Sequence, residues 1–190
     1  MDENRELKFQ LNLAWTAGIL YILAGIPETV VEVMRQHGFI PDSAVPAVTT
    51  VYLAGLITGI LFGWGFVVLG RKHENPLLWM SAMLLIFAQV FFTGYDMASL
   101  HHAAAGRGAV LILDSLLSGA LCILFGAGLW RLRTEYGSPA RTAGILNILA
   151  GLMLVPVIPY LAGLILLIPA AVFEIVLLYR ARRRIGSVSS

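Results

Sequence analysis

The chain has 190 residues, 58% of them hydrophobic and 13% charged, with a net charge of +2 and a mean hydropathy of +0.83. A water-soluble domain carries about 25% charged residues, so the composition excludes an ordinary soluble domain and names a bilayer as the solvent. Backbone inside lipid survives only as helices or closed barrels, and the apolar runs here are far too long for barrel strands.

The predicted elements follow in chain order. The charged start MDENRELKFQ leads into an apolar run over about 11–34, read as a retained span and not a cleaved signal. Further runs lie at about 47–70, 77–97, 109–131, 142–157 and 158–179. The last two meet through VPVIP (155–159), whose prolines break a continuous helix. The expectation is an all-α membrane protein of six transmembrane helices in one polytopic domain, 1–190. Cys122 is the single cysteine, so no internal disulfide forms.

Basic residues set the orientation. With six spans, Arg5, Lys8, Arg71, Lys72, Arg131, Arg133, Arg141, Arg180, Arg182, Arg183 and Arg184 fall on one side, and only Arg35 and Arg107 on the other. This positive-inside bias puts both termini in the cytoplasm. Five spans would strand RARRR (180–184) outside. The arginines read as topology anchors, with anionic lipid headgroups as an added partner.

An internal repeat organises the rest. AWTAGILYILAG (14–25) returns as ARTAGILNILAG (140–151), ILFGWGFVVL (60–69) as ILFGAGLWRL (123–132), and YLAGLI (52–57) at 160–165. Three parallel helical hairpins, about 11–72, 77–133 and 140–182, account for the pattern, with an outer insertion in the first at about 27–50. Gly55, Gly59 and Gly63 form a small-residue stripe matched by Ser118, Cys122 and Gly126. Such stripes let helices pack closely, within the bundle, against a second copy, or against another membrane protein.

Ionisable residues inside a membrane are costly and demand an explanation. Glu28 and Glu32 sit where the first span emerges, Asp96 closes the third, and Asp114 enters the fourth, with His101 and His102 in the loop between and His37 and Asp42 in the insertion. The outer mouth is therefore acidic and bears histidines. Asp114 is expected to bond within the bundle, to Thr93 or Tyr95, or to serve a ligand or proton path. Asp96, His101, His102 and Asp114 offer imidazole and carboxylate ligands suited to a divalent metal, the alternative to a protein with no cofactor. Asn147 and Glu174 fall on the tight last hairpin, where a hydrogen bond between them leaves neither unsatisfied. The first repeat has Tyr21 and Phe66 at the matching positions.

SPARTAGILNILAGL and LILLIPAAVFEIVLLYRARR resemble a large family of six-span bacterial membrane proteins of unknown function. Pro139, Gly144, Ala150, Gly151, Pro169 and Glu174 carry the resemblance, and AWTAGILYILAG resembles the start of such proteins. It implies fold, topology and a bacterial inner membrane, and transfers no activity.

Three functions fit these features. The first is a small solute or ion binding or transport module, with Glu28, Asp96, Asp114, Asn147 and Glu174 as its ligand or ion path. The second is an outer-face, metal-dependent membrane hydrolase, and the third a non-catalytic scaffold or regulatory subunit. The chain holds no G-x-S-x-G, P-loop or dinucleotide fingerprint, which weighs against an enzyme. The dispersed basic residues give no nucleic-acid surface.

Overall fold

The computed structural model describes residues 3–36, 41–101, 107–156 and 160–187. Its helices are α1 (Glu3–Gln36), α2 (Val45–Lys72), α3 (Pro76–Ala98), α4 (Arg107–Arg131), the single turn α5 (Arg133–Tyr136), α6 (Ser138–Leu154) and α7 (Tyr160–Ser187). One-turn 3-10 helices at Asp42–Ala44 and Ser99–His101 complete the described secondary structure. The protein is all-helical, with no strand among the described residues.

Four of the helices, over Asn4–Arg35, Val45–Lys72, Pro76–Ala98 and Gly108–Arg131, are long and apolar enough to cross a membrane. Their outward faces suit lipid. Phe9, Phe91 and Ile57 are 67%, 64% and 56% exposed, and many other large apolar side chains point outward with them. Water would penalise such a surface, whereas hydrocarbon does not.

Local chemistry fixes the turns. Asn75 caps α3 by accepting a hydrogen bond from the Leu78 amide at 3.3 Å, and Pro76 follows in the first turn, where no amide hydrogen is needed. The Asn75 side chain also donates to the Gly128 carbonyl at 2.8 Å, tying the start of α3 to the end of α4. Gly137, at φ 70° and ψ −140°, makes the reversal between α5 and α6 that a side chain would strain. α1 extends beyond its expected span at both ends, so Pro27 and the first part of the insertion are helical.

The six long helices close a ring in the order α1, α2, α3, α4, α6, α7 and back to α1, each antiparallel to its neighbours. At one end Leu11, Leu69, Leu78, Leu129, Leu177 and Leu178 fill the ring completely, each fully buried. Basic residues crowd this same end over aromatic rings: Arg71 over Trp79, Arg133 and Arg141 over Trp130, Arg183 over Tyr179. Such cation–π contacts suit a membrane interface. The other end carries Glu28, Asp96 and Asp114.

α4 and α6 make the closest approach. A Cβ on Gly126 would fall 2.7 Å from the Gly144 carbonyl oxygen, and one on Gly151 would fall 2.5 Å from that of Gly119. Two glycine pairs, seven residues apart on each helix, thus set this interface. Ser115 reinforces it by donating to the Leu154 carbonyl at 2.6 Å.

Candidate functional site

Towards the acidic end the ring is not filled. It encloses a cavity of about 420 Å³ to which all six long helices contribute. α1 supplies Tyr21 and Glu28, and α2 supplies Tyr52, Phe62 and Phe66. From α3 come Gln89, Thr93 and Asp96, and from α4 Asp114, Ser118, Cys122 and Phe125. Asn147 of α6 and Glu174 of α7 complete the polar wall.

Glu174 and Asn147 are the most buried of these polar groups, 7% and 3% exposed. The Asn147 amide donates to Glu174 Oε1 at 2.6 Å and to the Ala143 carbonyl at 2.9 Å. Glu174 Oε2 accepts no hydrogen bond among the described residues. Asp114 accepts from the Ser118 hydroxyl of its own helix at 2.8 Å, and not from Thr93 or Tyr95 as its position in the sequence suggests. A serine one turn on satisfies the carboxyl without reaching across the ring.

Asp96 meets Arg35 of α1, with Nη2 and Oδ1 2.8 Å apart. In the sequence Arg35 counts only as an exception to the charge bias. Gln89 likewise has no part assigned by the sequence. Its amide lies where a Cβ on Gly59 would stand, within 2.2 Å, and the Glu28 carboxyl fills the same kind of socket over Gly55. The α2 stripe therefore makes room for polar side chains of α1 and α3, while Gly63 receives Ile86. Of the matching α4 residues, Gly126 meets the α6 backbone, and Ser118 and Cys122 face the cavity.

Below Glu174 the cavity has an aromatic floor. Phe62 packs edge-on against Phe66 at 5.4 Å, and Phe66 against Phe125 at 5.1 Å. Tyr21 adds a tilted contact to Phe62 at 6.0 Å. Beyond these rings lies the leucine core, so the polar space ends blind at the basic side.

Of the four proposed metal ligands, only the side chains of Asp96 and Asp114 are described. His102 lies outside the described residues, as do His37 and Pro159, and the side chains of His101, Glu32 and Asp42 are also outside them. Asp96 is engaged by Arg35. Among the described residues no group of three His, Cys, Asp or Glu side chains is placed to hold a metal.

A second polar group lies at the basic end, outside the spans. His73 Nε2 and the Tyr136 hydroxyl share a 2.8 Å hydrogen bond. Burial lowers the His73 pKa, Glu135 opposes that shift and Lys72 adds to it. Burial pushes the Tyr136 hydroxyl up to about 12, against Arg184, whose guanidinium covers the ring and donates to the Glu135 carbonyl.

The fold and cavity define the class: an all-helical protein with bilayer-compatible helices around an interior cavity that carries both apolar and carboxyl side chains. Comparison with family models, curated proteins and solved structures finds no match to this chain.

Proposed function

We propose that the protein is a multi-pass inner-membrane module that binds, and by rearrangement transports, a small solute or ion entering from outside. The observation that carries this reading is that Glu28, Asp114, Asn147 and Glu174 line one cavity and not separate packed interfaces. The aromatic floor supports a binding site open at one end over a continuous pore, because a static channel needs a polar path at both ends. In this reading α6 and α7 also span the membrane, giving six spans as three parallel hairpins. The basic end faces the cytoplasm with both termini, and the cavity opens outward. Kinship with the six-span bacterial family belongs to the same proposal and rests on Pro139, Gly144, Pro169 and Glu174.

The test is thermal unfolding of the purified protein in nanodiscs across a panel of cationic, neutral and anionic solutes. A solute that raises the transition in wild type and not in Glu174→Gln supports the reading. No stabilisation by any solute, with wild type and variant equally folded, overturns it.

A further inference from the structure

The lining of the cavity selects among solutes, and this step rests on the binding reading above. We infer that the occupant is an organic cation, its ammonium-type head against the Glu174 carboxylate and its apolar body against the phenylalanine floor.

Charge sign comes first. Among the described residues four carboxyl side chains line the space and no lysine, arginine or histidine does. Asp96 is offset by Arg35, which leaves Glu28, Asp114 and Glu174. Inside a low-dielectric wall this set repels anions and attracts cations.

Glu174 supplies an independent pointer. It is only 7% exposed, yet among the described residues just one of its oxygens is engaged, by Asn147. The other oxygen is not sealed off from the cavity that Glu174 lines, so a donor entering there can reach it. An ammonium group supplies both the donor and the opposite charge.

Size and wall then separate organic from inorganic cations. About 420 Å³ lies within the range of small-molecule sites, roughly 300–1,000 Å³. A dehydrated metal ion would leave most of it empty, and no three-ligand cluster exists among the described residues. Phe62 and Phe125, 6% and 5% exposed, put the edge of an aromatic cluster into the same lining as the Glu174 carboxylate, and aromatic groups with a carboxylate recognise substituted ammonium groups.

Binding is measured calorimetrically on the full chain in nanodiscs, with benzyltrimethylammonium, tetramethylammonium, potassium, benzyl alcohol and benzoate as probes. The expected result is binding of benzyltrimethylammonium in preference to the other four, weakened about tenfold or more in Glu174→Gln. The wild-type series decides the question even if that variant does not fold, because it compares charge and apolar body without mutation. Equal or tighter binding of benzyl alcohol or benzoate overturns the cation assignment while leaving a solute site in place, and so does binding of potassium alone. Cation binding that a folded Glu174→Gln leaves unchanged also overturns it. Failure of every probe and of the wider solute panel removes the binding site itself.

Discussion

Asn147 holds Glu174 across the α6–α7 hairpin through a 2.6 Å hydrogen bond, with both side chains more than nine-tenths buried. Removing the donor strands a carboxyl that has no other described partner. Asn147→Ala is therefore expected to lower stability by about 1–3 kcal/mol. Replacing both partners by apolar residues, Asn147→Leu with Glu174→Met, is expected to cost less than the single change, because neither group is then left unsatisfied. Thermal unfolding of wild type, Asn147→Leu, Glu174→Met and the double variant in one detergent closes the cycle. A double cost equal to the sum of the two single costs would show that the bond contributes nothing.

The Arg35–Asp96 pair predicts an asymmetry. The Arg35 side chain is 10% exposed and that of Asp96 33% exposed. Losing Arg35 leaves a carboxylate that water can reach, whereas losing Asp96 removes a counter-charge from the better buried guanidinium. Asp96→Asn is expected to cost about 3 kcal/mol and Arg35→Met about 1 kcal/mol. Equilibrium unfolding of both variants checks the order, and the reverse order would mean that burial does not set the cost.

Much of the architecture was legible because its signals are one-dimensional. Apolar run length gave the helices, and the Gly-rich phrases marked the surfaces that pack. The partnership of Asn147 with Glu174 was readable because the last two helices adjoin in the chain, so two lone polar residues had few other partners. Arg35 with Asp96, and Gln89 with Gly59, were not readable in that way. Arg35 and Asp96 lie on helices that are not consecutive in the chain, and Gln89, though α2 and α3 do adjoin, rests on a glycine that has no side chain to announce a partner. The α2 glycines show the same limit: spacing announced a close approach but could not say whether backbone or a polar side chain fills it.

The glycine contacts predict which substitutions the bundle tolerates. Gly126→Ala and Gly144→Ala each place a methyl within 3 Å of the facing backbone carbonyl. Each is expected to destabilise by about 1–3 kcal/mol. At Gly25 and Gly94 an added methyl would meet nothing within 4 Å. Alanine at either is expected to be neutral or to add about 0.5–1 kcal/mol by helix propensity. Melting temperatures of the four variants test the contrast, which fails if Gly25→Ala is as harmful as Gly126→Ala.

Orientation is tested chemically in a Cys122→Ala background. Ser43 and Ser138 are exposed at opposite ends of the ring. A membrane-impermeant maleimide on intact cells is expected to label Ser43→Cys directly and Ser138→Cys only after permeabilisation. The opposite pattern inverts the proposed topology. Labelling of both in intact cells removes the barrier between them and with it the spanning arrangement.

His73 makes stability depend on pH. Its folded pKa lies below the unfolded value of about 6.5, with burial as the main cause. Between those two values the unfolded chain binds more protons than the folded one, so stability rises with pH there. The contribution is complete above about 6.5, declines as pH falls through that value, and levels off below the folded pKa. Tyr136, raised to about 12, stays neutral throughout this window and keeps its hydroxyl available to the ring. His73→Asn is expected to flatten the slope of melting temperature against pH on the acid side of 6.5. An unchanged slope would assign the dependence to other groups.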